Sequence, residues 1–332
     1  MKRLNNLYEK IISLENLRVA DAIARKGKLK SYGVKLHDKT RDQNIHKLHK
    51  QLIDGTYKTS KYHIFNMITD AGKERTIYRL PYFPDRILHH AIMNIMEPIW
   101  VSIFTTDTYS CIKKRGIHGV FRKLKNDLKN INETTYCLKI DVRKFYPSIN
   151  HKILKTILRK KIKDKKLLSL LDEIIESTPG VPIGNYLSQF FANIYLAYFD
   201  HWIKEVTQEK YYYRYADDIV VLCNSKQSLH KLLAEIQYYF SNNLKIDVKS
   251  NYQIFPVDKR GIDFVGYVFR HTHILMRKRI KQNFARKFNK QYPKRSPLFG
   301  WAIHCNSKNL IKTLSNEKST ISRSTNQARS YR

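Results

Sequence analysis

From Tyr211 to Leu222 the chain reads Tyr-Tyr-Tyr-Arg-Tyr-Ala-Asp-Asp-Ile-Val-Val-Leu, an apolar, aromatic and β-branched run interrupted by two adjacent carboxylates. The pattern predicts buried strand on both sides of the pair. Neighbouring strand residues point to opposite faces, so Asp217 and Asp218 share a site only if a tight turn falls there. Burying two acids is costly unless they are paired or bind a cation. A solvent-exposed hairpin turn is the alternative. The apolar flanks and the shortage of acids elsewhere favour a metal site.

The pattern elsewhere alternates helices with short strands. Residues 1–60 read as helical, polar and basic, with Gly27, Gly33 and Gly55 as breaks. Tyr62–Met67 and Arg75–Leu80 read as a strand pair joined by Thr69–Lys73. Pro84–Met96 carries apolar residues at helical spacing and is expected to end near Pro98. Ser110–Lys129 reads as a loop running into a basic helix, and Tyr136–Asp141 as a buried strand with an acid at its end. Asn150 is a candidate cap for a helix through Lys161, and Leu167–Ser177 is another helix. Pro179-Gly-Val-Pro182 marks a turn before an amphipathic helix over Asn185–Val206. A helix near Ser225–Phe240, a β segment from Leu244 to Met276 and a basic helical stretch over 277–314, interrupted around Pro293–Pro297, complete the order. Ser315–Arg332 is Ser/Arg/Asn-rich and is expected to stay disordered until it meets a partner.

Charge narrows the class. Lys+Arg 62 against Asp+Glu 28 gives a formal charge of +34, a self-repulsion that suits a polyanionic partner. The cations run the whole length and interleave with 22 Tyr and 15 Phe, as suits phosphate contacts combined with base stacking. A membrane-surface role would gather the charge on one amphipathic helix, and no apolar stretch reaches spanning length. Cys111, Cys137, Cys223 and Cys305 lie far apart without metal-ligand spacing, so reduced core cysteines in a cytosolic protein are the economical reading. His89-His90 and His271-x-His273 lack a matching acid or Cys cluster and read as packing or surface residues.

Asp141, at the end of its strand, is a second candidate metal ligand; a strand-end ion pair with Lys139 or Arg143 is the plainer reading. Asp141 and Asp217, supported by Asp218, would suit two Mg²⁺ ions in an in-line phosphoryl transfer. The ordered blocks here resemble the palm of reverse transcriptases: strand-Asp141, Phe145-Tyr146, a Gly-containing turn with a long helix, then Tyr215-Ala-Asp-Asp218. Lys73–Arg79 and Asp85–Ala91 resemble that family's fingers motifs, and Gly261–Tyr267 the segment before its primer grip.

The resemblance implies an α+β right-hand polymerase with fingers, antiparallel-sheet palm and small helical thumb. Its divisions would be a basic helical extension over 1–59, fingers over 60–134, palm over 135–272, thumb over 273–314 and a tail over 315–332. It implies an RNA-directed DNA polymerase holding two Mg²⁺ through Asp141, Val142, Asp217 and Asp218. Lys73, Arg75, Tyr146, Ile183, Gly184 and Gln189 would meet the nucleotide. Tyr146, five residues after Asp141, would lie beneath the sugar and exclude a 2′-hydroxyl. Arg277, Lys278, Arg279 and Lys281 would track a duplex backbone. The Lys of a Lys-Thr pair is replaced by Asn251-Tyr252, with Lys249 two residues earlier and no role assigned to it.

One departure narrows the branch. Ile183-Gly-Asn-Tyr-Leu-Ser-Gln189 stands where most of the family has Gln-Gly, three residues and Ser-Pro; Asn251–Tyr267 and Gly300–His304 point the same way. The pattern resembles the enzymes of diversity-generating retroelements, which copy a template-repeat RNA into adenine-mutated cDNA. It implies a cytoplasmic, bacterial or phage-encoded protein that works with template RNA, an RNA/cDNA duplex, dNTPs and a small basic, oligomeric accessory protein. Retron, group II intron-like and phage-defence reverse transcriptases are the alternatives. An RNA-dependent RNA polymerase and a non-catalytic RNA-binding scaffold stand further off.

Overall fold

The computed structural model describes residues 3–68, 72, 74–289 and 291–315. Four helices open the chain: α1 (Tyr8–Ile12), α2 (Leu14–Ala24), α3 (Tyr32–Asp38) and α4 (Arg41–Ile53). Ser13 caps α2 by accepting from Asn16 N–H. Gly27 (φ +70°) and Gly55 (φ +66°) break the chain where expected. Gly33 does not, since it lies inside α3, where a Cβ would approach Tyr82 Cβ to 2.9 Å. Tyr82 also donates to Asp21 Oδ1 (2.6 Å), and Arg41 Nε donates to Asp21 Oδ2 (2.7 Å). Burial alone would raise the Asp21 carboxyl, but hydrogen bonds from His37, Tyr82 and Arg41 hold it well below the usual range. The extension is thereby latched to the segment that follows it.

The expected strand pair forms as β1 (His63–Ile68) and β2 (Glu74–Arg79), antiparallel with Ile64 opposite Tyr78. Helix α5 (Ile87–Val101) runs past the predicted stop and encloses Pro98; Trp100, 1% exposed, is packed in the core and holds that last turn. α2 lies along α5, where Asn16 Nδ2 donates to Ala91 O at 3.0 Å. Asp85 is fully buried and accepts from Tyr57 Oη (2.7 Å) and Ser60 N (3.0 Å).

After α6 (Gly116–Asp127) comes β3 (Tyr136–Asp141), then α7 (Phe145–Ser148), α8 (His151–Lys161) and α9 (Lys165–Glu176). Asn150 caps α8 through Ile153 N (3.2 Å) as expected. The long helix is α10 (Tyr186–His201), followed by an irregular turn over Trp202–Val206. The hairpin consists of β4 (Tyr211–Tyr215) and β5 (Asp218–Cys223), then α11 (Lys226–Tyr239) and β6 (Gln253–Pro256). One four-stranded sheet has the order β4–β5–β3–β6, with β3 and β6 antiparallel.

The segment expected to be continuous β from Leu244 is instead divided. A four-residue helix α12 (Val257–Arg260) separates β6 from a three-stranded antiparallel sheet of β7 (Ile262–Phe264), β8 (Tyr267–Phe269) and β9 (Ile274–Met276). α13 (Lys278–Arg286) and α14 (Phe299–Ala302) follow. The class is therefore α+β with an antiparallel sheet flanked by helices.

The chain forms two compact units. The first comprises Met1–Val120, Ile140–Ile219 and Lys231–Tyr252; the second holds Phe121–Lys139, Val220–His230 and the chain from Gln253 onward. The second unit has an aromatic core in which Phe121 meets Tyr267 (4.7 Å) and Phe269 (5.2 Å), beside Trp301. Of the four free cysteines only Cys137 is buried; Cys111 is exposed. No helix among the described residues is long and apolar enough to cross a membrane.

Candidate active site

The first unit contains all the described acids singled out above. β3 ends at Asp141, and the chain continues alongside Asp247–Lys249: Arg143 N donates to Asp247 O (2.8 Å), Val142 bridges Val248, and Lys249 N donates to Asp141 O (2.9 Å). This ladder sets Lys249 beside Asp141, and their side chains form an ion pair. Of the plainer partners offered by the sequence, Lys139 donates from Nζ to Asp263 O. Asp141 Oδ1 is buried with no hydrogen-bond partner among the described residues.

Asp217 faces Asp141 from the β4–β5 turn. Burial first, then the Asp141 charge, pushes the Asp217 carboxyl up to about 6, with Lys249 opposing. Two like charges held together and partly desolvated, with one oxygen left without a donor, fit a divalent cation of oxygen-ligand type. Among the described residues no group of three or more His, Cys, Asp or Glu comes together as a metal cluster. The structure thus brings Asp141 and Asp217 together, while Asp218 begins β5 as the next residue along the chain. Val142 buries its side chain in the core.

Arg75, Tyr146 and Asp217 converge. Burial first, then the Cys111 and Asp217 charges, push the Tyr146 hydroxyl up, with Arg75 and Arg214 opposing. Tyr146 lies in α7, whose preceding residue Lys144 is left-handed (φ +44°). Below it the Pro179–Pro182 turn closes tightly: Val181 N donates to Tyr146 O (2.9 Å). A Cβ on Gly180 would lie 2.5 Å from Pro147 O, so only glycine fits there. Ile183 O accepts from Tyr78 N (2.8 Å), which ties the turn to β2. Gly184 (φ +123°) approaches Tyr78 so closely that a Cβ would lie 2.7 Å from its carbonyl oxygen. Ile183 is half-buried and Gln189 is exposed on α10. Lys73 lies outside the described residues. A cleft of about 610 Å³ is lined by Lys28, Tyr78, Arg86 and Gly184 among others, and none of the acids lines it.

In the second unit Arg277 ion-pairs with Asp263 (2.5 Å), whereas Lys278, Arg279 and Lys281 are exposed on α13. His271 is held by Asp258 (2.7 Å) and Thr134 (3.0 Å). His89 and His90 are buried in α5. His89 and His90 are thus packing residues, one of the two readings expected for them.

Four residues of the site escaped the sequence reading: Lys249 as the partner of Asp141, Cys111 beside Tyr146, and the buried pair of Arg214 and Asp200. For Arg214 a signal existed, a cation inside an apolar strand run.

Residues 59–269 match the model of the family described as reverse transcriptase (RNA-dependent DNA polymerase). Protein YkfC of Escherichia coli K12 is 24% identical over 277 residues, covering 70% of this chain and 71% of its own length. The group II intron-encoded protein LtrA of Lactococcus lactis is 23% identical over 176 residues, and the chain spans 29% of that protein. Among solved structures, telomerase of Candida tropicalis in complex with a TWJ fragment of telomeric RNA aligns with a TM-score of 0.50 at 14% identity, covering 84% of this chain and 57% of that one. That likeness is one of fold.

Proposed function

The chain belongs to the reverse transcriptase (RNA-dependent DNA polymerase) family, and from that premise we propose that it extends a primer with dNTPs on an RNA template by phosphoryl transfer at Asp141 and Asp217. The observation that carries the proposal is the facing carboxylate pair, one member pushed up to about 6 and the other with an oxygen lacking a donor. Asp141 and Asp217, with Asp218 adjacent, would hold Mg²⁺. When bound, the ions supply activation of a primer hydroxyl and neutralisation of the departing pyrophosphate. The chain's own groups do the rest. Arg75 and Lys73 offer cations to the triphosphate, Tyr146 restricts the sugar, and Lys249, paired with Asp141, would balance that carboxylate's charge.

Of the finer readings, kinship to an intron-encoded protein favours a group II intron-like reverse transcriptase. The diversity-generating reading, with adenine-mutated cDNA and a basic accessory protein, is supported by Ile183 through Gln189. The test is to supply the purified chain with a primed RNA, dNTPs and Mg²⁺ and to sequence the product. Extension is expected, and Asp217→Asn is expected to reduce it by at least about 10³-fold with RNA affinity intact, since even one donor in a reacting site carries 10²–10³. Substitutions concentrated at template adenines would move the branch assignment to the diversity-generating enzymes. RNA binding without any nucleotide addition by the native chain would sink the polymerase reading in favour of a scaffold.

A further inference from the structure

Beneath the acidic turn lies a second set of charges that the chemistry above does not use. Arg214 and Asp200 are both fully buried. The guanidinium grips the carboxylate with two hydrogen bonds, Nε to Oδ1 (2.7 Å) and Nη2 to Oδ2 (2.5 Å). Asp200 also accepts from Tyr212 Oη (2.6 Å) and Thr108 Oγ1 (2.7 Å). Arg214 Nη1 donates to Asn193 Oδ1 (3.1 Å), and Asn193 Nδ2 donates to Ser110 O (2.8 Å). Asn193 and Asp200, seven residues apart, lie two turns along one face of α10. The network therefore joins α10, β4 and the loop over residues 107–110.

One contact leaves this enclosed set and reaches the site. Arg214 Nη1 also donates to Ala216 O (3.0 Å). Ala216 is left-handed at φ +56°, a conformation that costs a non-glycine residue energy and persists where its surroundings impose it. Its carbonyl belongs to the peptide that leads directly into Asp217.

We infer that Arg214 is a positioning residue: its buried guanidinium fixes the Ala216–Asp217 peptide and so aims the Asp217 carboxylate at Asp141. The arrangement demands arginine. A planar fork reaches Asp200, Asn193 and the Ala216 carbonyl at once, whereas a lysine ammonium is a point donor. A merely structural ion pair would stabilise the fold without reaching the turn.

Two variants of the full chain separate the roles. Arg214→Lys keeps a cation for Asp200 and loses the fork. The double variant Arg214→Met/Asp200→Leu removes both charges, so neither is left unpaired. Each is measured for melting temperature, primer–template affinity, Mg²⁺ binding by calorimetry and the Mg²⁺ dependence of single-nucleotide addition. Both are expected to melt cooperatively and to bind primer–template as the native chain does. Both are expected to need about tenfold more Mg²⁺, as when a partner behind a metal ligand is lost. The rate at saturating Mg²⁺ is expected to fall roughly 10²-fold, as for small misplacements of reacting groups. A folded double variant with native Mg²⁺ affinity and native rate would overturn the inference. So would failure of both variants to fold, because the pair would then serve the fold alone. The kinetic arm rests on the polymerase reading; should the native chain add no nucleotide, that reading fails while the calorimetric Mg²⁺ arm still decides the role of Arg214.

Discussion

Two turns build the site, and they are held in opposite ways. The Ala216–Asp217 turn is fixed from behind by side chains: a guanidinium, a carboxylate, a carboxamide and two hydroxyls, all buried. The Gly180–Gly184 turn is fixed by the absence of side chains. Its glycines let backbone pack on backbone, with Val181 N on Tyr146 O and Ile183 O under Tyr78 N. The first turn carries charge to be aimed and needs a polar support that can be tuned. The second carries shape and needs only close approach. Losing the support of the first should therefore cost both stability and chemistry, whereas replacing the Ile183 side chain on the second should alter selectivity and leave the fold intact.

The largest effect expected from this contrast is on stability. Asp200→Ala leaves the Arg214 guanidinium buried without its partner and removes the acceptor of Tyr212 and Thr108. Breaking one side of a buried pair costs about 3–5 kcal/mol. Chemical denaturation should show that loss, and a change under about 1 kcal/mol would mean that the first turn is not held by its network.

A smaller effect of opposite sign is expected at the acid itself. The Asp217 carboxyl is pushed up by burial and by Asp141, to about 6. Between the ordinary carboxylate range and that value the folded chain binds more protons than the unfolded one, so this group's contribution to stability falls as pH rises through the window. Without Mg²⁺, Asp217→Asn should therefore raise the melting temperature at pH 8 by several degrees and change it little at pH 4. Added Mg²⁺ should narrow the gap at pH 8 by stabilising only the native chain. Equal melting temperatures at pH 8 without metal would remove the strain assigned to the carboxylate pair.

What the sequence made legible follows the same divide. β3 and the Asn150-capped helix were readable because a strand pattern and a cap are local signals, decided within a few residues. The hairpin was readable because paired acids in an apolar run are costly enough to stand out. Lys249 was not, since its place beside Asp141 depends on the register of a ladder joining segments 108 residues apart. Arg214 was passed over although a cation in an apolar strand run is a signal, and its partner depends on how α10 packs beneath β4. Pro98 and Gly33 misled for one reason: burial of Trp100 and close approach to Tyr82 outweigh local helix preference.

The smallest expected effect is the one that tests the second turn. Ile183 lends its backbone carbonyl to Tyr78 and leaves its side chain half-buried next to Gly184. Replacing the side chain keeps that hydrogen bond, so Ile183→Gln should leave the melting temperature within about 1–2 °C, as for substitutions away from core and caps. Selectivity is another matter. An apolar side chain cannot hydrogen-bond a nucleotide, and sites that do so discriminate far better than apolar ones. If the Ile183 side chain faces the nascent pair, glutamine should lower misincorporation, most clearly opposite template adenine, with a few-fold change readable by sequencing single-pass cDNA. Unchanged error rates with unchanged stability would make Ile183 a packing residue of the second turn, which would then carry shape alone.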